Sequence, residues 1–450
     1  MAVTVAGLPF QFIQLSAAAG STGFFFKSTA DAYQFASNTL TKVSDADYPA
    51  TTVPGVAYLD GTYYVMTPDA KIYNSALEDP MTWSALDVIV CQGEPDGGIA
   101  ICRHMNYVVG FGVYTTEFFY DAGNPTGSPL LPIQNAFCRV GCAAAGSLAQ
   151  TENTTIFMGV TQQKGRSIYF LQGTTPTPCS TPYVDRVLNG DDLAHVYSYC
   201  VRSNGHVFYV LTLKTSGVTL VFDLTTQKWH EWSTSTPQAT KSVTSLTQSL
   251  GVATATVTAH GYADGDPVVL AGAAQSGYNG LVNVTYLTPN TFSFPVAAST
   301  VSPATGTITA QGYTVTYFKN IFYTAAGNLD VMQGEDDGNV YIFSDTTYQD
   351  NGNPVDLRVR TGKFDGGTQD KKHFRVVQFV GDKVQATGLL RYTDDDYQTW
   401  SGFRPLNLAL DRARMSRLGA GRRRAFEFRH TANTPLRGEG LDITLDKGVA

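Results

Sequence analysis

The sequence predicts an all-β protein, on three observations. Short runs of Tyr, Phe, Val, Ile and Thr recur along the chain between Gly, Asp and Asn turns, which is the punctuation of strands and hairpins. The 450 residues are 43% hydrophobic and 12% aromatic but only 15% charged, enough apolar material for a large core and too little charge for disorder. Apolar residues near helical spacing occur in one stretch alone, residues 405–418, where Pro405 precedes Leu406, Leu410 and Met415 and one short helix is expected.

The strand pattern can be followed in order. Residues 56–59, the turn Asp60-Gly61 and residues 62–66 read as a hairpin, with a further strand at 71–74 and Trp83 closing the unit. Residues 107–111 and 116–120 form another pair, and residues 155–160 and 167–171 flank the turn Lys164-Gly165-Arg166. The rhythm is clearest from Ser198 to Ser233. Four strands there, in about thirty-five residues ending in a turn and a Trp, have the size of one propeller blade. A fifth such unit runs through residues 317–343.

Residues 238–312 break the rhythm, holding almost no charge beyond Lys241, Asp264 and Asp266, and read as a small β-domain inserted into the larger one. Residues 1–237 and 313–365 are then the two parts of a propeller, and residues 366–450, rich in arginine, a C-terminal β element.

Composition also bounds function. A formal net charge of −7 argues against a protein that grips nucleic acid by neutralising phosphates. No run of 18 apolar residues occurs and residues 1–18 lack a basic region ahead of the apolar stretch, so neither a membrane span nor a secretory signal is expected. Cys91, Cys102, Cys138, Cys142, Cys179 and Cys200 read as reduced and mostly buried, and the scattered histidines offer Cys138 and Cys142 no metal-ligand partners. There is no Gly-x-Ser-x-Gly elbow, phosphate loop or His-Glu-x-x-His, so no catalytic residue, metal or cofactor is expected and the chain is read as not an enzyme.

Residues 393–400 (TDDDYQTW) approximate the Asp-box hairpin of sialidase-type propellers, with Tyr397 in the glycine position, and read as a structural turn. The acidic clusters 335–338 and 394–396 lack the spacing of a calcium loop and read as solvated turns. His206, His230 and His260 read as packing or hydrogen-bonding groups. The strongest charged feature is the group Arg412, Arg414, Arg417, Arg422, Arg423, Arg424 and Arg429. Three readings of it stand: docking onto an acidic partner, pairing with the chain's own carboxylates, and contact with DNA phosphates. The candidate docking residues are Arg417, Arg422, Arg423, Arg424 and Arg429.

Several stretches together resemble the tail nozzle, or tail hub, family of short-tailed bacteriophages, the packaged-DNA stabilisation proteins. They are residues 96–99, 107–112 and 115–120; Gly205 to Leu211 with Val221-Phe222-Asp223 and Trp229-His230-Glu231-Trp232; residues 348–354 and 358–361; and Arg417-Leu418-Gly419, Arg422-Arg423-Arg424 and residues 426–429. Residues 260–294 resemble a small β-domain common in phage tail proteins. The resemblance implies a β-propeller of about six blades interrupted by the inserted domain. It implies a structural virion protein, a homohexamer below the portal adaptor, that retains packaged DNA and conducts it at ejection. The expected partners are the adaptor, tail fibres or spikes, and double-stranded DNA in transient, non-specific passage. Membrane insertion is not expected, and assembly is expected in the host cytoplasm. The alternative is a glycan-binding or sialidase-like propeller used in host adsorption, for which the aromatic residues would stack on sugars.

Overall fold

A computed structural model describes residues 11–16 and 22–447, apart from 135, 152, 327–328, 336–338 and 345; the expectations for residues 1–10, 17–18 and 336–338 lie outside these. The chain divides into two compact units, Met1–Trp232 with Lys319–Ile342, and Ser233–Phe318 with Phe343–Ala450.

Within the first unit, consecutive stretches of chain fold into antiparallel sheets. The first comprises Gln11–Ser16, Thr22–Lys27, Ala32–Ala36 and Thr39–Lys42, and the second Ala57–Leu59, Thr62–Met66, Lys71–Ala76 and Asp79–Val90. The third comprises Gly98–His104, Tyr107–Gly112, Thr116–Asp121 and Leu130–Pro132. The fourth is built on Thr155–Val160, Ser167–Gln172 and Thr175–Pro178. Val196–Ser203, His206–Leu213, Val218–Asp223 and the start of Lys228–Pro237 make the fifth, and Asn320–Ala326, Leu329–Gly334 and Val340–Ile342 the sixth. The chain is thus all-β as expected, a succession of small up-and-down sheets of the propeller class.

What joins the sheets is burial on both faces. Successive strand residues point to opposite sides, so Tyr63 and Val65 enter a core with Phe25, Ala32 and Val43 of the first sheet and its loop. Their neighbours Tyr64 and Met66 enter a different core with Ile101, Val108 and Phe119 of the third sheet. The alternation repeats: Val109, Phe111 and Phe118 meet Phe157, Tyr169 and Leu171 of the fourth sheet. Ile156, Met158 and Ile168 then meet Tyr209, Leu211, Leu213 and Phe222 of the fifth. Tyr199 stacks on Tyr323, linking fifth and sixth. Strands buried on both faces read as nearly continuous apolar text, which is why FYVLTL at residues 208–213 shows no polar alternation. Each fully buried Val, Leu or Phe contributes roughly 1.5–3 kcal/mol.

Two helix expectations are corrected. Residues 405–418 form no helix: Arg404–Asn407 and Arg414–Ser416 are strands. Leu406 and Leu408, then Ala413 and Met415, are buried at a spacing of two, with Leu418 buried after them, while Leu410 of the supposed helical face is 56% exposed. The helix that does form is Pro182–Gly190, which the sequence reading missed. Its signal was present: Thr181 caps the Val184 amide, Pro182 starts the first turn, and Val184 and Leu188, four apart, are both buried between the fourth and fifth sheets.

The second unit contains two sandwiches. In one, Ser245–Ser249, Val252–Thr256, Thr291–Pro295 and Thr285–Thr288 face Gly306–Tyr317, Pro267–Ala273 and Gly280–Asn283 over Leu246, Ala253, Val268, Leu270, Phe292 and Phe294. In the other, Leu357–Arg360, Ala425–His430, Thr387–Thr393 and Arg404–Asn407 form one sheet. Lys372–Gly381, flanked by Gly438–Lys447 on one side and by Arg414–Ser416 and Ala420–Gly421 on the other, forms the second. Phe374, Val377, Leu390, Met415, Phe426 and Phe428 fill the space between.

The cysteines form no disulfide, and burial pushes the thiols of Cys91, Cys102, Cys142, Cys179 and Cys200 up to about 12.

One buried cation in the first unit makes stability depend on pH. Lys27 is fully buried, its Nζ donates to the Val53 carbonyl at 2.8 Å, and desolvation pulls its pKa down to about 7. Between about pH 7 and the ordinary lysine value the unfolded chain binds the extra proton, so stability rises with pH across that window. Relative to Lys27→Met, the wild type should gain about 1–4 kcal/mol between pH 7 and pH 10. Paired thermal unfolding curves check this; a constant gap would mean that Lys27 stays protonated throughout.

Candidate functional site

The arginine-rich segment separates into buried and exposed groups. In the strand Ala425–His430 every residue is buried, and alternation sends Phe426 and Phe428 into the apolar core while Glu427 and Arg429 take the other face. Glu427, with no exposed surface, lies opposite Arg360 on one neighbouring strand and Arg391 on the other. It accepts from Arg360 Nε at 2.5 Å and from Arg391 Nε at 2.9 Å. The Arg391 guanidinium lies 4.8 Å from the Trp400 ring centre and 4.3 Å from that of Phe403. Arg429, 3% exposed, donates to Asp356 at 2.6 Å and reaches Asp266 of the other sandwich at 3.4 Å.

Arg424 is the most enclosed of the group, at 1% exposure. It makes a two-pronged pair with Asp394, Nε to Oδ1 at 2.7 Å and Nη2 to Oδ2 at 2.6 Å, and donates through Nη1 to the Leu418 carbonyl at 2.7 Å. Its guanidinium also sits 3.9 Å from the Tyr392 ring centre and 4.3 Å from that of Phe374. Lys372, equally buried, donates to the carbonyls of Thr368, Asp370 and Arg422 at 2.7, 2.7 and 2.8 Å.

These two buried cations hold the backbone at Leu418 and Arg422, and the chain around them presents Arg417, Arg422 and Arg423 to solvent. Arg412 and Arg414 are exposed as well. Arg423 reaches Asp396 at 3.6 Å in an exposed pair. Of the five docking candidates, then, Arg424 and Arg429 are internal struts, and Arg417, Arg422 and Arg423 form a braced, exposed cationic surface. The sequence reading did not single out the partners Asp356, Arg360, Arg391 and Glu427. The available signal was the alternation Arg358-Val359-Arg360 facing Glu427-Phe428-Arg429, which a strand register turns into cross-strand pairs.

The Asp-box-like residues do form a turn. The Thr399 hydroxyl and amide, and the Thr393 hydroxyl, donate to Asp395 and hold its carboxyl down at about 2. Tyr397 occupies the motif's glycine position with φ +69°, the conformation for which glycine is favoured.

In the first unit, an open cleft of about 570 Å³ is lined by Thr151, Arg202, Asn204, His206 and Thr225, among others. His206 Nδ1 lies 2.8 Å from Asp223 Oδ2. Burial opposes ionisation of Asp223, but hydrogen bonds from the Thr226 hydroxyl, His206 and the Thr225 amide outweigh it and hold the carboxyl below its usual range. Both groups brace the turn that follows the strand Val218–Asp223, beside the start of the strand His206–Leu213. Among the described residues no group of three or more His, Cys, Asp and Glu side chains is arranged to hold a metal ion.

A family model described as bacteriophage P22 Gp10, beta-propeller, matches residues 8–244. Residues 348–361 and 417–429, which also carry the sequence resemblance, lie outside that span. No curated protein matches the chain. Among solved structures the chain is similar to the computationally designed Ika8 protein, with 14% identity and a TM-score of 0.34, covering 74% of this chain and 82% of that one. It is also similar to the designed Ika4 protein, with 13% identity and a TM-score of 0.23, covering 41% and 92% respectively.

The division of the arginines is testable by stability. Arg424→Ala should lower the unfolding free energy of the second unit by about 3 kcal/mol, because it strands Asp394 and the Leu418 carbonyl and empties a cavity. Arg423→Ala should change it by no more than about 0.5 kcal/mol. Urea unfolding of the two variants checks both, and equal losses would contradict the assignment.

Proposed function

Because the chain belongs to the family described as bacteriophage P22 Gp10, beta-propeller, we propose that it is the tail nozzle, or hub, of a short-tailed phage, attached below the portal adaptor. Membership makes it a phage structural tail protein and a component of the virion. The finer reading is a homohexamer, assembled in the host cytoplasm, that extends the tail channel, retains the packaged genome and conducts it at ejection. The observation that carries it is the match over residues 8–244, which spans the first five sheets and the cores that join them.

Charge supports the same role. A conduit should not grip its cargo, and a chain of net charge −7 has little long-range attraction for DNA. The exposed Arg417, Arg422 and Arg423 fit contact with an acidic neighbour in the tail, and their braced backbone lowers the ordering cost of such a contact.

Two experiments test this. A tag on the chain, located by electron microscopy on purified virions, should appear as a ring at the distal tail; a chain recovered only as a soluble host protein would overturn the reading. Replacing Arg417, Arg422 and Arg423 together by Ala should leave the unfolding transitions within about 0.5 kcal/mol of wild type while lowering tail occupancy severalfold. Full occupancy would remove the docking role.

A further inference from the structure

Charge is divided unevenly between the two units. Residues 1–232 with 319–342 carry 22 Asp and Glu against 12 Lys and Arg, a net −10, whereas residues 233–318 with 343–450 carry 16 against 19, a net +3. On the second unit, the exposed guanidinium groups of Arg417 and Arg422 have no hydrogen-bond or ion-pair partner among the described residues, and Arg423 has only its open contact with Asp396 at 3.6 Å. The buried Arg424 and Lys372 hold the backbone beneath them at Leu418 and Arg422.

The first unit carries the complementary surface. The turns Asp60-Gly61 and Leu77-Glu78 stand side by side at one end of the second sheet, where the Glu78 amide donates to the Gly61 carbonyl at 2.7 Å. Two carboxylates beside them shape the loops. Asp45 accepts from the Trp83 and Asp47 amides at 3.0 and 2.9 Å, and Asp79 from the Met81 amide and the Thr82 hydroxyl at 2.9 and 2.7 Å. Asp47, Asp60 and Glu78 are exposed, and among the described residues their carboxylates are in no hydrogen bond or ion pair. Leu77, 71% exposed, lies against Gly61 between the two turns.

We propose that copies of this chain join through these two surfaces, the arginines of one copy docking on the acidic end of the second sheet of another. The proposal rests on the docking reading of Arg417, Arg422 and Arg423 and names their acidic neighbour. Charge complementarity selects that neighbour: unpaired cations on one unit match unpaired carboxylates on the other, and the same chain supplies both. Neither surface can pair with itself, since like charges would face each other, so the contact joins unlike surfaces, as in a ring where each copy presents one to either side. Leu77 gives the contact an apolar centre and the carboxylates give it a polar rim. The fixed backbone under the arginines lowers the ordering cost. Duplex DNA fits less well, because a copy of net charge −7 gains little from phosphate contacts made by a unit of net +3.

The test is sedimentation of the purified full chain. At low salt the wild type should run as an oligomer, and at about 1 M salt, where charges are screened within roughly 3 Å, as a monomer. One variant combines Asp47→Lys with Glu78→Lys, and another Arg417→Glu with Arg422→Glu. Each should associate at least about tenfold more weakly than wild type while unfolding at the same temperature, because all four side chains are exposed and unpaired. Mixing the two variants should restore oligomers, since each then meets a surface of opposite sign. A monomeric wild type, wild-type association by either variant alone, or a mixture that stays monomeric would each overturn the proposal. The nozzle reading fails separately: label at the distal tail with a purified chain that stays monomeric would sink this contact alone, and salt-sensitive oligomers of a chain absent from virions would sink the nozzle alone.

Discussion

The first unit depends on one constraint: each sheet from the second to the fifth must bury both of its faces. A four-stranded sheet of short strands cannot stabilise itself in water, and here the remedy is a neighbour on either side. The strand Thr62–Met66 shows it most compactly, with Tyr63 and Val65 serving one core and Tyr64 and Met66 the next. Because these cores are made jointly by sheets consecutive in the chain, contacts remain fairly local, and the rhythm of strand and turn is itself the folding plan. The same constraint explains the place of the single α-helix among the described residues: Pro182–Gly190 adds Val184 and Leu188 to the core between the fourth and fifth sheets.

The second unit meets a different problem. The sheet containing Ala425–His430 has an apolar face for its own sandwich and a second face that must be covered without apolar side chains. It is covered by charge. Glu427 lies between two arginines, Arg429 between two aspartates, and aromatic rings close over Arg391. Each buried charge is matched, since an unmatched one would cost several kcal/mol. The consequence for function is indirect but definite: Arg424 and Arg429 are consumed by carboxylates inside the fold, whereas Arg417, Arg422 and Arg423, like Arg412 and Arg414, stand at the surface.

Much of this was legible residue by residue. Hairpins at residues 57–66 and 107–121, and the four-strand unit from Val196 to Pro237, follow from β-branched and aromatic runs separated by Gly, Asn and Asp, because turn chemistry and strand propensity are local. The helix at residues 182–190 was equally legible from Thr-Pro and the spacing of Val184 and Leu188, and was passed over. Residues 405–418 failed for a physical reason. Leu406, Leu408, Leu410, Ala413, Met415 and Leu418 are spaced so that periods of two and of about four both fit, and only the partners across the sheet decide between them.

By itself, then, the sequence determined the all-β class, the turns, the alternation within strands and the low charge, all consequences of nearest-neighbour chemistry and composition. The tertiary structure alone decided which arginines are struts and which are surface. Glu427 meets Arg391 across 36 residues of chain and Arg360 across 67, and Arg424 meets Asp394 across 30. Such pairings are set by strand register, which is fixed by the packing of whole sheets, and no local pattern encodes them.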